Sequence, residues 1–411
     1  MKVEIKPSNN LSGNIKISGS KNSCLPILAI SLLTDKKMII RNVPNITDID
    51  DMLKLLEYIG VKVARKKDTV ILKRKHLKNK LLIDEVTKIR ASYYLIPGLV
   101  NKHKEVQIYY PGGCTFTNRP IDYHLYFLRK SNVEILEQID KLILKKKKLK
   151  PANIVFPKAT VGATINAILH YVQIKGTTKI KSQPLEPEIL DVINCLNKMG
   201  ALIYIKNNEI IIKGGRKLKK IEYKIMPDRI EFASYALLAS TRNSQVTLTN
   251  ILENTYLPFL KYFDNLGIKY IYNKESFTVL GSGKINNIHL IIDHFPYFPT
   301  DLNPIICAAL LNGTNESFVY DLVYPKRISH IKQMQLLSAN IKQQEKGMMI
   351  IPSLLEGAEV YAKDLRCGFA LIICAINASN KTIINEFEFI KRGYERVVEK
   401  LKSINIQIDE Y

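Results

Sequence analysis

Residues 152–182 and 186–205 read ANIVFPKATVGATINAILHYVQIKGTTKIKS and EPEILDVINCLNKMGALIYI, and this stretch decides the fold. A short strand and a polar loop precede an apolar helix, after which a second strand, a second helix and a third strand follow. Apolar residues spaced three and four apart mark the helices, whereas alternation of apolar and polar residues marks the strands. The stretch therefore predicts one α+β unit of two helices and several strands.

The same pattern recurs along the whole chain. Copies begin near residues 12, 84, 152, 223, 292 and 358, which gives a period of about 70 residues, longer than that of most solenoid repeats. Six such units in 411 residues predict an α/β (α+β) fold of two domains with three units each. The first domain is expected to end at residues 224–228, and a ligand is expected in the cleft between the domains.

The composition excludes several classes of protein. With 46% hydrophobic and 24% charged residues the chain has an ordinary globular composition. We find no apolar run of the roughly 18 to 20 residues that cross a bilayer, and the first residues, MKVEIKPSNN, lack the apolar centre of a signal peptide. We expect a soluble, cytoplasmic protein without a membrane partner.

The six cysteines do not form a metal-binding pattern. They contain neither a CxxC pair nor a Cys/His cluster with zinc spacing. Cys195, Cys307, Cys367 and Cys374 lie in apolar stretches, which is typical of small core residues in a reducing compartment.

The formal net charge of +23 has two interpretations. It could attract anions, either nucleic acid or phosphorylated small molecules, or it could be a lysine-rich solvated surface. The excess looks thinly spread, with its densest run at residues 145–148, and aromatic residues do not interleave with the basic runs as base stacking requires. We favour the solvated surface and expect no nucleic-acid partner.

The sharpest local signal is the segment 110–124, YPGGCTFTNRPIDYH. Its glycines and prolines predict a loop, and loops carry function more often than helices and strands do. Cys114 lies five residues before Arg119, which could lower the pKa of the thiol and make it reactive.

Polar residues also recur where a strand leads into a helix. Helix N-termini present unpaired amides and a positive dipole end, which suits phosphate binding. One such residue is often only a cap, but equivalent positions in six copies favour a shared function. These positions are Lys21 with Asn22, Arg90, Lys158 with Thr160, Val161 and Gly162, Asp228 with Arg229, Asp301, and Asp364 with Leu365 and Arg366.

Nine motifs together resemble the UDP-N-acetylglucosamine 1-carboxyvinyltransferases, a family of enolpyruvyl transferases. In chain order they are SGSKNSCLPILA, IRASYYL, PGGCTFTNRPIDYH, ATVGAT, EPEILD, PDRIE, FPTD, KDLR and RGYER. The resemblance runs from about residue 2 to residue 409. It implies an inside-out α/β barrel in each domain, built from three βαβαββ units. It assigns residues 20–226 to one domain, and residues 1–19 with 227–411 to the other.

The resemblance also implies a reaction and its catalytic residues. The enolpyruvyl group of phosphoenolpyruvate would pass to the 3-hydroxyl of UDP-N-acetylglucosamine with release of phosphate, an early step of peptidoglycan precursor synthesis. Lys21, Arg119 and Arg392 correspond to the cations that hold phosphoenolpyruvate. Asp301 corresponds to the carboxylate near the sugar hydroxyl, and Cys114 to an acid or a participant in product release. The Cys114 thiol would also be the target of the epoxide fosfomycin.

The other site residues follow from the same resemblance. No metal or cofactor is expected, because lysine and arginine neutralise the substrate charge, and we expect a monomer. The residues expected to bind substrate are Asn22, Arg90, Pro120, Ile121, Asp122, Tyr123, His124, Lys158, Thr160, Val161, Gly162, Val323, Tyr324, Arg327, Asp364, Leu365 and Arg366.

Some residues depart from the family pattern. Thr160 stands where serine is usual, and Leu185 and Pro325 replace a basic and an acidic residue. Cys367 and Gly368 stand where alanine or serine is typical, and Phe389 and Lys391 replace histidine and aspartate. Two alternatives therefore stay open: an enolpyruvyl transferase with another acceptor, such as shikimate 3-phosphate, and a catalytically silent protein that binds UDP-sugars or nucleic acid.

Overall fold

The computed structural model describes residues 1–112, 121–181, 185–345 and 347–411. The chain divides into two compact units, one formed by Gly19–Met226 and the other by Met1–Ser18 with Pro227–Tyr411. We call them the central unit and the terminal unit. The chain passes from one to the other twice, after Ser18 and after Met226.

Among the described residues, each unit contains three four-stranded sheets, and these six sheets have the same strand order. We number the four strands in the order in which a copy of the repeat uses them. Strand one pairs in parallel with strand two, strand two pairs antiparallel with strand four, and strand four pairs antiparallel with strand three. The predicted α/β fold of six similar copies is thereby confirmed.

The three sheets of the central unit are given in spatial order. They are Ile221–Lys224, Met38–Arg41, Thr69–Arg74 and Val61–Lys66; then Lys80–Leu81, Glu105–Tyr109, Lys141–Lys146 and Val133–Glu137; then Asn153–Val155, Gly176–Lys181, Glu209–Gly214 and Ile203–Lys206.

The terminal unit repeats this arrangement. Its sheets are Leu11–Lys16, Asn243–Thr249, Ser276–Ser282 and Lys269–Tyr272; then His289–Ile292, Ser317–Asp321, Gly347–Ile351 and Asn340–Gln344; then Glu359–Tyr361, Thr382–Asn385, Val3–Ile5 and Ile408–Glu410.

Helices connect the first strand to the second, and the second to the third. In the central unit they are Lys21–Ala29, Thr47–Tyr58, Glu85–Lys88, Ile96–Lys102, Asp122–Lys130, Val161–Tyr171 and Pro187–Lys198, with 3₁₀ turns at Ile30–Leu32 and Arg90–Leu95. In the terminal unit they are Arg229–Ser240, Glu253–Asn265, Asn303–Leu310, Ser329–Gln335, Leu365–Asn377, Glu388–Lys391 and Val397–Lys402, with a 3₁₀ turn at Thr300–Leu302.

Two copies exchange their first strands. Leu11–Lys16 opens the first copy in sequence, but it pairs in parallel with Asn243–Thr249 of the fourth copy. Ile221–Lys224, which opens the fourth copy, pairs in parallel with Met38–Arg41 of the first. The sequence pattern assigned each strand to the copy that follows it along the chain. The pairing implied by the repeat pattern is wrong for both strands, because periodicity identifies a strand without identifying its partner. The family resemblance, in contrast, groups residues 1–19 with residues 227–411, the unit in which Leu11–Lys16 lies.

The first strand of the chain completes the sixth sheet. Val3–Ile5 lies between Thr382–Asn385 and Ile408–Glu410, where the fourth strand lies in every other sheet. Val3 and Ile5 are fully buried, so this short strand contributes both main-chain hydrogen bonds and apolar packing.

One hydrophobic core fills each unit. In the terminal unit, helix Arg229–Ser240 is buried at every position, and helix Leu365–Asn377 is buried from Arg366 to Ile376. Such helices keep only their N-terminal ends available for polar chemistry. Among the described residues, we find no helix that is both long and apolar enough to cross a membrane.

We predict that Ile5→Ala lowers the free energy of unfolding of the chain by about 3 kcal/mol, because it leaves a cavity in the middle of the sixth sheet. Urea denaturation followed by circular dichroism measures this change. Lys2→Ala, at an exposed position next to the same strand, is the control and should change stability by less than about 0.5 kcal/mol. A loss below about 1 kcal/mol for Ile5→Ala would mean that the strand is not held as described.

Candidate functional site

Asp301 lies between two buried arginines of the terminal unit. Its Oδ1 accepts a hydrogen bond from Arg327 Nη1 at 3.1 Å, and its Oδ2 accepts one from Arg366 Nη2 at 3.0 Å. The side chains of Arg327 and Arg366 are 5% and 4% exposed, whereas that of Asp301 is 29% exposed. The two arginines therefore fix the position of the Asp301 carboxylate, while part of the side chain remains accessible to solvent.

Arg366 is held in an apolar and aromatic environment. Its guanidinium lies 5.2 Å from the ring centroid of Tyr394, which stacks on Phe369 at 4.4 Å. Burial lowers the pKa of Arg366, but Tyr394, Asp301 and Asp228 together outweigh burial and raise it. Arg366 thus keeps its positive charge at every physiological pH, although it is almost fully buried.

Asp321 holds this region together, and sequence reasoning missed it. Its Oδ1 accepts hydrogen bonds from the main-chain amides of Val323 and Tyr324, at 3.0 and 2.8 Å. Its Oδ2 accepts hydrogen bonds from Thr300 Oγ1 at 2.6 Å and from Asn303 Nδ2 at 2.9 Å. One carboxylate therefore joins the turn at residues 323–324 to the segment that carries Asp301.

Arg327 ties the same turn to Thr300. Its Nη1 donates to the carbonyl oxygen of Thr300, and its main-chain amide donates to the Tyr324 carbonyl at 2.9 Å. The structure thus brings the predicted residue Asp301 next to three others that lie 22 to 26 positions further along the chain: Val323, Tyr324 and Arg327.

Asp364 is the N-cap of helix Leu365–Asn377. Its Oδ1 accepts hydrogen bonds from the amides of Arg366 and Cys367 at 2.8 and 3.0 Å, as a capping carboxylate does. Its Oδ2 accepts a hydrogen bond from Ser329 Oγ at 3.1 Å. Asp364 therefore orients the first turn of the helix that presents Arg366, and Leu365 begins that helix.

A second cluster lies in the central unit around His124. His124 is buried, its ring centroid lies 4.1 Å from that of Tyr93 at a tilt of 43°, and its Nδ1 lies 3.1 Å from Nδ2 of Asn166. The guanidinium carbon of Arg90 lies 5.8 Å from the Tyr93 ring centroid. Burial, assisted by the charge of Arg90, lowers the pKa of His124 to about 3, so the imidazole is neutral at physiological pH.

The N-terminus of helix Val161–Tyr171 adjoins this cluster. Thr160 is the N-cap and its side chain accepts a hydrogen bond from the Ala163 amide at 3.5 Å, while the first turn has no acidic residue. A Cβ on Gly162 would lie 2.5 Å from Tyr93 Oη, so a larger residue there would displace the Tyr93 side chain. These features leave a helix end whose amides and dipole favour an anion.

The remaining predicted residues of the central unit are less strongly positioned. Lys21 begins helix Lys21–Ala29 and its Nζ lies 3.1 Å from Asp48 Oδ2. Asn22, Ile121 and Tyr123 are half-buried, whereas Asp122 and Lys158 are exposed. In the terminal unit, Arg392 is half-buried at the C-terminal end of helix Glu388–Lys391.

Cys114, Arg119 and Pro120 lie outside the described residues. The five other cysteines, Cys24, Cys195, Cys307, Cys367 and Cys374, are free and buried. Burial raises the pKa of the Cys367 thiol to about 12, and it also raises those of the other four. None of these five therefore provides a reactive thiolate at neutral pH.

Gly368, one of the departures from the family pattern, packs against Ile390, which lies between two others, Phe389 and Lys391. A Cβ on Gly368 would collide with the side chain of Ile390, so glycine lets Ile390 approach helix Leu365–Asn377. The neighbouring Lys391 forms an ion pair with Glu410 at 3.0 Å. The altered residues near Arg392 are thus accommodated within the fold.

Comparison with known proteins extends this description. Residues 5–401 match the family model described as EPSP synthase (3-phosphoshikimate 1-carboxyvinyltransferase). UDP-N-acetylglucosamine 1-carboxyvinyltransferase 2 of Staphylococcus epidermidis is 34% identical over 409 residues, which cover 99% of this chain and 98% of that protein. UDP-N-acetylglucosamine 1-carboxyvinyltransferase 1 of Streptococcus agalactiae is 31% identical over 414 residues, with the same coverage.

Solved structures share the fold at lower sequence identity. The enolpyruvyl transferase NikO from Streptomyces tendae superposes with a TM-score of 0.90 at 19% identity, covering 99% of this chain and 98% of that one. EPSP synthase from Acinetobacter baumannii superposes with a TM-score of 0.79 at 16% identity over the full length of both chains.

The fold and the full-length matches define this chain as a transferase of the enolpyruvyl class. It belongs to the EPSP synthase family, and its curated relatives at 31–34% identity are named UDP-N-acetylglucosamine 1-carboxyvinyltransferases.

The buried His124 generates a prediction about pH. Its pKa is about 3 in the folded chain and about 6.5 in the unfolded chain, so between these values the unfolded chain binds more protons and stability falls as pH falls. Each pH unit below about 6.5 costs about 1.4 kcal/mol for this one group. Between pH 7.5 and pH 5, the free energy of unfolding should therefore fall by about 2 kcal/mol less in His124→Gln than in the wild type.

Urea denaturation at the two pH values measures this difference. His76→Gln, at an exposed position of the same unit, is the control and should follow the wild type. Equal pH dependence in the wild type and His124→Gln would contradict a buried neutral imidazole.

Proposed function

We propose that this protein transfers the enolpyruvyl group of phosphoenolpyruvate to the 3-hydroxyl of UDP-N-acetylglucosamine and releases phosphate, the first committed step of peptidoglycan precursor synthesis. The observation that carries the proposal is the Asp301 carboxylate between Arg327 and Arg366, because it provides a fixed proton acceptor among fixed cations. The names of the relatives at 31–34% identity support the choice of acceptor.

The proposed base is Asp301. Each carboxylate oxygen can accept more than one hydrogen bond, so the two arginines leave capacity for a substrate hydroxyl. The sugar oxygen attacks C2 of phosphoenolpyruvate while its proton passes to Asp301 and C3 of phosphoenolpyruvate gains a proton. The resulting tetrahedral ketal loses a proton from C3 and breaks its bond to the phosphate oxygen. The products are the enolpyruvyl ether and inorganic phosphate.

The cations of the site would hold the charges of phosphoenolpyruvate. Lys21, Arg119 and Arg392 are the proposed clamp, and Arg90, Arg327 and Arg366 contribute further positive charge. Arginine suits carboxylates and phosphates because its planar group offers paired donors, whereas lysine acts as a point charge. Asn22 and Asp364 would orient the substrate and the neighbouring cations.

The nucleotide sugar would bind through two sets of residues. Its diphosphate fits the helix end formed by Thr160, Val161 and Gly162, with Lys158 exposed just before it. The neutral His124, which packs against Tyr93, can accept or donate a hydrogen bond without adding charge. Residues 120–123 would extend this contact, and the turn at Val323 and Tyr324 would contact the same substrate.

Cys114 is the proposed acid, or else a participant in product release. Its neighbours Arg119 and the loop glycines suit a thiol of lowered pKa. The buried state of Cys24, Cys195, Cys307, Cys367 and Cys374 supports this assignment, because it leaves Cys114 as the candidate for thiol chemistry.

A second candidate function is enolpyruvyl transfer to a different acceptor. The family model is described by the shikimate 3-phosphate reaction, and the residues around Arg392 differ from the pattern of the relatives. The acceptor is therefore the part of the proposal that an experiment must decide.

We predict that purified protein releases phosphate from phosphoenolpyruvate only when UDP-N-acetylglucosamine is present. A coupled phosphate assay, run in parallel with shikimate 3-phosphate, measures this. Release with shikimate 3-phosphate alone would assign the second candidate function. With neither acceptor active, calorimetric binding of UDP-N-acetylglucosamine would identify a silent binding protein.

We predict that Asp301→Asn lowers kcat at least about 100-fold, because an amide keeps the hydrogen-bonding shape but cannot take the proton. The dissociation constant for UDP-N-acetylglucosamine, measured by calorimetry, should change less than about fivefold. Asp409→Asn, at an exposed position of the same unit, is the matched control and should keep full activity. A kcat for Asp301→Asn within about threefold of the wild type would exclude Asp301 as the base.

A further inference from the structure

The positive charge of the chain is concentrated in one unit. Residues 19–226 contain 39 Lys and Arg against 18 Asp and Glu, a net charge of +21. The rest of the chain contains 22 against 20, a net charge of +2, and the two together give the total of +23. The sequence-based expectation of a thinly spread excess is therefore wrong, because it considered the chain as a whole and did not count the charge of each domain separately.

Within the central unit, the charge gathers where one copy leads into the next. In each of its three sheets, we take the last two residues of strand four and the six residues that follow it. These eight-residue segments are 73–80, KRKHLKNK; 145–152, KKKKLKPA; and 213–220, KGGRKLKK. Each contains five basic residues, and none contains an acidic residue. We call these three segments the basic end.

The terminal unit provides an internal control. The equivalent segments there are 281–288, GSGKINNI; 350–357, IIPSLLEG; and 4–11, EIKPSNNL. Together they contain two basic and two acidic residues, against fifteen and none in the basic end. A lysine-rich genome would affect both units alike, so it does not account for this difference.

The strand order places the three segments at one end of their sheets. Each fourth strand runs antiparallel to the second, so its last residues lie beside the start of the second strand: Lys145 pairs with Glu105, and Lys213 with Thr177. The residues proposed to bind substrate lie at the opposite end of the first helix. Helix Val161–Tyr171 alone separates the two ends by about 16 Å.

The first two segments of the basic end lie in one region, and most basic residues of all three segments are exposed. Burial, and then the charges of Arg74 and Lys146, lower the pKa of Lys102, which shows that segments of two copies share one region. Arg74 and Lys146 are half-buried and donate to the carbonyls of Leu32 and Asn101, while the other thirteen are exposed. Of these fifteen basic residues, all of which lie within the described ranges, only Lys147 forms an ion pair, with Glu134 at 3.5 Å.

The composition of the basic end favours one kind of partner. Thirteen of its fifteen basic residues are lysine, and it has no Phe, Tyr or Trp. Proteins that bind nucleic acid commonly use bidentate hydrogen bonds from arginine and stacking of bases on aromatic rings, and the basic end has few arginines and no Phe, Tyr or Trp. Leu77 and Leu218 are buried and Leu149 is half-buried, so these segments present charge rather than apolar side chains.

We propose that the basic end binds peripherally to the surface of an anionic phospholipid membrane. Lysine ammonium groups act as point charges toward a diffuse layer of phosphate headgroups, and each basic residue near such a surface strengthens binding about fivefold. Because the segments do not insert apolar side chains, the association is electrostatic and salt reverses it. Binding would leave the opposite end of the unit free for catalysis.

Co-sedimentation with vesicles tests the proposal. The probe is a vesicle of about 40% phosphatidylglycerol in phosphatidylcholine, with pure phosphatidylcholine as the uncharged reference. The full-length protein should bind the anionic vesicle at about 0.1 M KCl, leave it at about 0.5 M KCl, and ignore the uncharged one.

Two matched sets of six substitutions locate the binding surface. The test variant replaces Lys73, Lys75, Lys148, Lys150, Lys217 and Lys220 by Gln. The control variant replaces Lys16, Lys269, Lys274, Lys284, Lys342 and Lys402, which are exposed in the terminal unit, by Gln. The test variant should bind at least about 20-fold more weakly than the wild type, and the control variant should lose less than about threefold.

Three outcomes would overturn the proposal. The first is a wild type that does not bind anionic vesicles at about 0.1 M KCl. The second is an equal loss of binding in both variants, which would mean a response to net charge alone. Tighter binding of a short DNA duplex than of vesicles at the same salt would assign the surface to nucleic acid instead. Acceptor-dependent phosphate release, measured on both variants, separates this result from the proposed function, because the substitutions avoid the proposed site.

Discussion

The parallel pairing of Leu11–Lys16 with Asn243–Thr249 is the constraint on which the rest of the structure depends. It brings residues more than two hundred positions apart into one sheet, and the reciprocal pairing of Ile221–Lys224 with Met38–Arg41 joins residues about 180 positions apart in the other unit. Parallel strands need a long crossover, and here each crossover is close to half of the protein or more. The terminal unit therefore cannot complete its sheets without strands from both ends of the sequence.

A buried ion pair secures the end of this strand. Glu231 accepts a hydrogen bond from the Ser18 amide at 2.7 Å and one from Lys400 Nζ at 2.6 Å, and the Asp228 amide donates to the Ser18 carbonyl at 2.9 Å. Burial raises the pKa of Glu231, and Lys400 opposes that effect. Such a pair adds little net stability, because desolvation offsets much of the attraction. Its effect is to specify where the chain leaves the terminal unit, a few residues before helix Lys21–Ala29 begins.

The sequence predicts the elements better than it predicts their partners. Helix and strand periodicity identified six copies, since that signal is local and repeated. Periodicity alone could not predict the strand exchange, because a short alternating strand such as Leu11–Lys16 or Ile221–Lys224 does not specify which of two similar sheets it joins. Only the family resemblance, which grouped residues 1–19 with residues 227–411, pointed to the position of the first of these strands. In the same way, FPTD and KDLR pointed to Asp301 and Arg366, whereas Asp321 ends an ordinary strand and its four hydrogen bonds exist only after folding.

The two units also differ in how they use positive charge. In the terminal unit the important cations, Arg327 and Arg366, are buried and paired with Asp301, so they are fixed in direction and add little to the surface potential. In the central unit the lysines of the basic end are exposed and few are paired, so they create a field that extends about one Debye length into solvent. Buried arginines confer geometric precision on a small substrate, whereas exposed lysines attract an extended anion without selecting its shape. A repeat that places helix N-termini at one end of each sheet and the links between copies at the other can carry both kinds of charge, since the length of a helix separates them.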